Sequence, residues 1–165
     1  MKERRKTIRK IEYVDAHYSY RKQTTPPKGS VTIHGRIVLE TNSYVDIEAA
    51  WTENPHKTFF GVVIPKAAIC GNNAKNKMRK FSLSSGDRVA VYWQNIFAYD
   101  EDFKGLHLPT PMLTEGIFLF ERSQHLVIDK PETLNLRTVS YHPSDRVVRY
   151  SIPKRLVSEI KILKK

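Results

Sequence analysis

Apolar and polar residues alternate with a period of two along most of this chain, the pattern of half-buried strands. In VTIHGRIVLE, Val31, Ile33, Ile37 and Leu39 take one side, while Thr32, His34, Arg36 and Glu40 mostly take the other. Thr41-Asn42-Ser43 turns the chain into YVDIEAAW, where Val45 and Ile47 alternate with Asp46 and Glu48, so an antiparallel hairpin is expected. TFFGVVIP returns as a third strand, and Gly61 within it predicts a bulge or sharp bend. Upstream, Ile11 to Lys22 reads as one strand with Tyr13, His17 and Arg21 on a single face. After Pro65, the stretch 66–81 is broken by Gly71-Asn72-Asn73 and predicts a helical turn, a loop and a second short helix. Val89, Val91 and Trp93 mark another strand, whereas 94–114 keeps no period and reads as a long connection. LNLRTVSY and RVVRYSIP, joined by a turn at 142–145, read as a hairpin, and PKRLVSEIKIL as a helical turn and a closing strand.

The pattern occurs twice. Gly35 to Glu48, GRIVLETNSYVDIE, matches Gly116 to Asp129, GIFLFERSQHLVID, in its glycine, apolar run, glutamate, polar triplet, ring and closing carboxylate. Each copy is followed by the same tripeptide, Ile64-Pro65-Lys66 and Ile152-Pro153-Lys154. Arg36 corresponds to Ile117 and Asp46 to Val127, so the second copy is apolar on both faces. That contrast predicts a covered second copy and an exposed first copy carrying the working surface. Two strands, a loop, a third strand and a turn beginning at proline resemble the small barrels of the Sm and SH3-like type.

The expected fold class is therefore all-β, with two similar small SH3/Sm-like barrels formed by an internal duplication and joined to short helical turns. The alternative is a single β-sandwich or jelly roll, with the repeat a coincidence of hairpins. The expected division is a basic flexible arm at 1–10, a first barrel half at 11–93, the connection at 94–114 and a second barrel half at 115–165.

A chain of 165 residues can bury roughly 70% of its unfolded surface, enough for a true core. Nowhere do about 18 apolar residues run together, which argues against a membrane-spanning helix. The first residues lack the apolar run of a secretory signal. A single cysteine, Cys70, allows no internal disulfide and points to a reducing, cytoplasmic setting.

Charge changes the picture more. Lys and Arg number 28 against 17 Asp and Glu, for a net charge of +11, and the excess is blocked. Met1 to Lys22 carries eight basic and three acidic residues, Lys66 to Arg88 six and one, and Arg137 to Lys165 eight and two. Intervening segments are acidic. Blocks of this kind suit a polyanion. The candidate nucleic-acid contacts are Arg4, Arg5, Lys6, Arg9 and Lys10 of the arm, then Tyr13, His17 and Arg21, then Arg36. Lys75, Lys77, Arg79 and Lys80 form the densest internal cluster, and Arg149, Lys154 and Arg155 follow near the C-terminus.

Catalytic and metal signatures are absent: the chain holds no paired cysteines, no HExxH, no phosphate-binding glycine loop and no GxSxG. Asp100 to Gly105, DEDFKG, opens like a calcium loop but has Lys104 and Pro111 where ligands belong. Glu159-Ile160-Lys161, with Asp145 upstream, has the residue types of a metal-dependent nuclease on an ordinary strand pattern. The expectation is a non-catalytic nucleic-acid-binding protein, for RNA or DNA, with no cofactor, no metal and no membrane partner. A protein-interaction or structural module of a phage or mobile element, meeting an acidic protein, is the alternative. A small metal-independent ribonuclease built on a histidine is the third reading, and homo-oligomers are compatible with all three.

Overall fold

The computed structural model describes residues 7–20, 30–53, 56–71, 80–122, 124–142 and 147–163. Among the described residues twelve strands follow in chain order: β1 (Ile8–Tyr13), β2 (His17–Tyr20), β3 (Val31–Glu40), β4 (Tyr44–Thr52), β5 (Lys57–Pro65), β6 (Arg88–Asn95), β7 (Phe97–Tyr99), β8 (Thr110–Arg122), β9 (His125–Asn135), β10 (Ser140–His142), β11 (Val147–Pro153) and β12 (Val157–Ile162). Short 3-10 turns at Lys66–Ala68 and Lys154–Leu156 are the only helical elements among the described residues, and no helix is long and apolar enough to cross a membrane. The protein is all-β. One sheet runs β1-β3-β4-β5-β7; the other runs β12-β6-β8-β9-β11-β2, with β10 beside β9. All the pairings are antiparallel, and both strand paths are open where closed barrels are expected from the sequence.

Two compact units result. The first comprises 1–14, 30–72 and 96–109, and the second 15–29, 73–95 and 110–165. The alternation seen in the sequence builds each core, since cross-strand partners bring their apolar sides together. Ile33, Ile47, Val62 and Ile64 are fully buried in the first unit, and Val89, Val91, Leu126, Ile128 and Ile152 in the second. In the second unit Trp93 donates its indole N–H to Thr114 Oγ1 (3.0 Å), which meets Thr133 Oγ1 at 2.9 Å, so the buried ring has no orphan polar atom.

Several local features occupy matching places in both units. Arg9 pairs with Gly35 as Val89 pairs with Gly116. A Cβ on Gly35 would collide with Ile47 Cγ2, and one on Gly116 with Ile128 Cγ2, so close approach of the paired strands excludes any side chain at either site. Both hairpins carry β-bulges at corresponding positions, and both place a residue other than glycine in the left-handed region there, Ala49 and Lys130 at φ 46°. The amide of Lys66 donates to Ser43 O and that of Lys154 to Gln124 O, each at 2.8 Å. Lys66 then pairs with Glu40, and Lys154 with Glu121.

Some expectations need correction. Ile11 to Lys22 is not one strand: the Val14 amide turns to Ala68 O (2.9 Å), the Asp15 carboxylate accepts from the Ala16 amide (2.8 Å), and the chain leaves the first sheet for the second. Part of the expected arm is strand, because Ile8 to Tyr13 pair with Arg36 to Val31. The connection expected at 94–114 supplies β7 to the first sheet, while β6 belongs to the second. β10 and β11 form no hairpin; both pair with β9, at opposite ends of it. Asp46 does not mark an exposed copy, since it is 3% exposed and its counterpart Val127 is 9% exposed. Phe120 of the second copy, conversely, is an exposed ring.

Candidate functional site

The first sheet carries two concentrations of chemistry. One begins at Gly61, whose partners are Glu48 on β4 and Tyr99 on β7. Gly61 is the floor for the Tyr99 ring: a Cβ there would clash with Tyr99 Cζ and its neighbours, so the glycine serves close approach and not a bend. Held flat, Tyr99 donates its hydroxyl to Asp46 Oδ1 at 2.6 Å. The other carboxylate oxygen takes the ring N–H of His107: Nδ1 lies 2.9 Å from Oδ2, and an ionised carboxylate can only accept. His107 also stacks on Tyr99 at 3.9 Å between centroids, and Phe97 and Phe103 complete the aromatic cluster. Burial first, and then the hydrogen bond to Asp46, hold the Tyr99 phenol well above its ordinary range. Beside it Arg36 Nη2 pairs with Glu48 Oε2 at 2.7 Å, while the buried Nε of Arg36 finds no partner among the described residues. The network ties the 100–109 loop onto the sheet, and chemically it presents one part-exposed imidazole backed by a buried carboxylate.

The second concentration is a row across the strands. Lys10 on β1 pairs with His34 on β3, and His34 with Trp51 on β4. The His34 and Trp51 rings stack at 5.1 Å with planes 12° apart, and His34 Nε2 lies 2.9 Å from Glu53 Oε1. Trp51 also lines an open cavity of about 510 Å³ with Ala49, Ala50, His56, Thr58 and Phe59. The bulge at Ala49 sets this register, because one extra residue on β4 brings Trp51 opposite His34.

The residues expected from sequence are distributed as follows. Arg4, Arg5, Lys6, Arg21, Lys75, Lys77 and Arg79 lie outside the described residues, as does the side chain of His17. Arg9, Lys10 and Lys80 are exposed. Tyr13 is 4% exposed and belongs to the core, which corrects its place on a stacking face: its strand ends there, opposite Val31. Arg36 is half-buried against Glu48, and Lys154 is largely buried against Glu121. Arg149 is exposed with Asp129 3.8 Å away, and Arg155 is half-buried. Glu159 and Lys161 face each other at 3.8 Å on β12, both about half exposed. No group of three or more His, Cys, Asp or Glu suited to a metal ion occurs among the described residues. Sequence does not single out His107, Tyr99, His34 or Trp51; the contrasts of Arg36 with Ile117 and Asp46 with Val127, and the candidate contacts Arg9, Lys10, Tyr13 and Arg36, point at this sheet. Comparison with protein families, characterised proteins and solved structures gives no match.

Proposed function

We propose that this protein binds nucleic acid, RNA or DNA, chiefly through its phosphates. The observation that carries the reading is how its cations divide. Arg36 and Lys66 are half-buried, Lys154 is largely buried, and they pair with Glu48, Glu40 and Glu121. Arg9, Lys10 and Lys80 are exposed and form no ion pair among the described residues, on a chain of net charge +11. Cations spent on folding are thus distinct from cations left to solvent, and the latter release counterions when they meet a polyanion. In the same reading each unit is one copy of a small SH3-like element. The order β12-β6-β8-β9-β11, with a 3-10 turn before β12, supports it, as does the Tyr13 to Ile69 bridge standing where Trp93 meets Val157.

The test is a salt titration of binding by fluorescence anisotropy with a labelled duplex and its single strand. Neutralising about six phosphates gives log K against log salt a slope of roughly −5 on duplex DNA and about −4 on the single strand. A flat curve overturns the reading. A second reading, a protein-interaction module, draws on the 100–109 loop, where exposed Phe103, Leu106 and Leu108 accompany exposed Asp100, Glu101 and Asp102. Protein purified free of nucleic acid, with a flat salt curve, favours it over the first.

A further inference from the structure

We infer that the cavity beside Trp51 is a seat for one unpaired nucleobase, so that the partner is single-stranded; this rests on the nucleic-acid reading above. The argument starts from a comparison within the molecule. In the first unit the row across the strands is Lys10, His34, Trp51. At the matching place in the second unit, fixed by Arg9 opposite Gly35 and Val89 opposite Gly116, the row is Ala90, Glu115, Glu132. The same strand arrangement therefore forms with an alanine and two carboxylates, and folding does not require a lysine and two aromatic rings there. What the first unit has instead is a stacked His34 and Trp51 pair, with the Lys10 ammonium across from His34 and the Glu53 carboxylate 2.9 Å from its Nε2.

A ring and an ammonium are the two things a single strand needs. A base offers a π face to a ring and its phosphate offers a negative charge to an ammonium, and neither contact depends on base identity. Trp51 is pre-set for this: His34 holds its plane from one side, and its remaining open surface lines the cavity with Ala49, Ala50, His56, Thr58 and Phe59. The volume of about 510 Å³ exceeds that of a base, while the exposed Thr58 and His56 stand at its rim as hydrogen-bonding groups. Lys10, directly across from His34 and exposed, has no carboxylate partner among the described residues. Bases inside a duplex are stacked on one another and cannot enter such a seat without being splayed out.

Tryptophan fluorescence reads the site without a label. Trp93, at 1% exposure, is shielded, so a change on binding reports Trp51. A single-stranded 12-mer is expected to quench the emission, and the same sequence as a duplex to bind without quenching. Trp51→Ala should weaken the single strand about tenfold, the loss of one stacked base, and leave duplex affinity unchanged. Trp51→Phe keeps a ring and should keep the preference for the single strand, which guards against a folding defect in the alanine variant. Salt-dependent binding of both oligonucleotides with equal affinity and no quenching overturns the base seat and leaves the phosphate reading standing. No salt-dependent binding of either overturns both.

Discussion

Removing the Tyr99 hydroxyl isolates a short, buried polar contact in the first unit. In Tyr99→Phe the ring still rests on Gly61 and still stacks on His107, but Asp46 Oδ1 loses its 2.6 Å donor. Asp46 is buried, so water does not replace the lost bond. The cost is the desolvation of an unsatisfied charged acceptor, about 2 kcal/mol. For a chain of this length that lowers Tm by about 4–8 °C, and it lowers the urea midpoint by about 1 M for a slope near 2 kcal/mol/M. The decisive measurement is a double-mutant cycle with Asp46→Val, the residue the second unit carries at the matching place. Once the carboxylate is gone the hydroxyl is itself an orphan, so adding Tyr99→Phe should change stability by less than about 0.5 kcal/mol. The coupling is then about 2 kcal/mol. Equal costs of Tyr99→Phe in both backgrounds would refute the bond as the source of the effect.

Three further outcomes follow from the same geometry. Gly61→Ala drives a methyl into the Tyr99 ring and should destabilise by about 1–3 kcal/mol, an effect that Gly61→Ala/Tyr99→Ala relieves in chemical denaturation. Burial lifts the Asp15 carboxyl from 3.8 to about 6, opposed only by its bond to the Ala16 amide. The folded state therefore binds the proton more tightly than the unfolded chain. Stability contributed by this group is present below about pH 4 and is lost as pH rises through 6, by at most about 3 kcal/mol. Urea titrations of wild type and Asp15→Asn should converge at low pH and separate above it, and parallel curves would contradict the assignment. Finally, Lys154→Ala should lower stability by about 1 kcal/mol without changing the salt slope of nucleic-acid binding. Arg9→Ala/Lys10→Ala should do the reverse, flattening the slope by about 2.

The strands were legible because a period of two survives any tertiary context that buries one face. The turn at 41–43 was equally so, since Thr41 Oγ1 accepts from the amides of Ser43 and Tyr44 within four residues. The Ile-Pro-Lys coincidence marked both 3-10 turns for the same local reason. What the sequence withheld depends on contacts made far along the chain. Tyr99 and His107 reach Asp46 from 53 and 61 residues away, through a segment with no period of its own. His34 meets Trp51 only because the bulge at Ala49 shifts the register, and a bulge built on alanine in place of glycine leaves no compositional trace. Tyr13 alternated correctly, but its strand ends at Tyr13 and the chain changes sheets within three residues. The contrast of Asp46 with Val127 predicts an exposed carboxylate where the structure buries one, because alternation gives the side of a sheet and not what covers it.

The two units are not consecutive along the chain, and this governs how the protein can be made and cut. β7 completes the first sheet only after β6, a strand of the second, has been made, and β2 waits for a partner, β11, that arrives more than a hundred residues later. No single scission separates the two units from one another, because segments of each interrupt the other along the chain. Ribosomal synthesis therefore releases β2 long before it can pair, an exposed edge for other chains to occupy. Closing so long a loop makes folding slow. Refolding yield should fall with protein concentration, and a peptide of the β11 sequence added in trans should restore part of it.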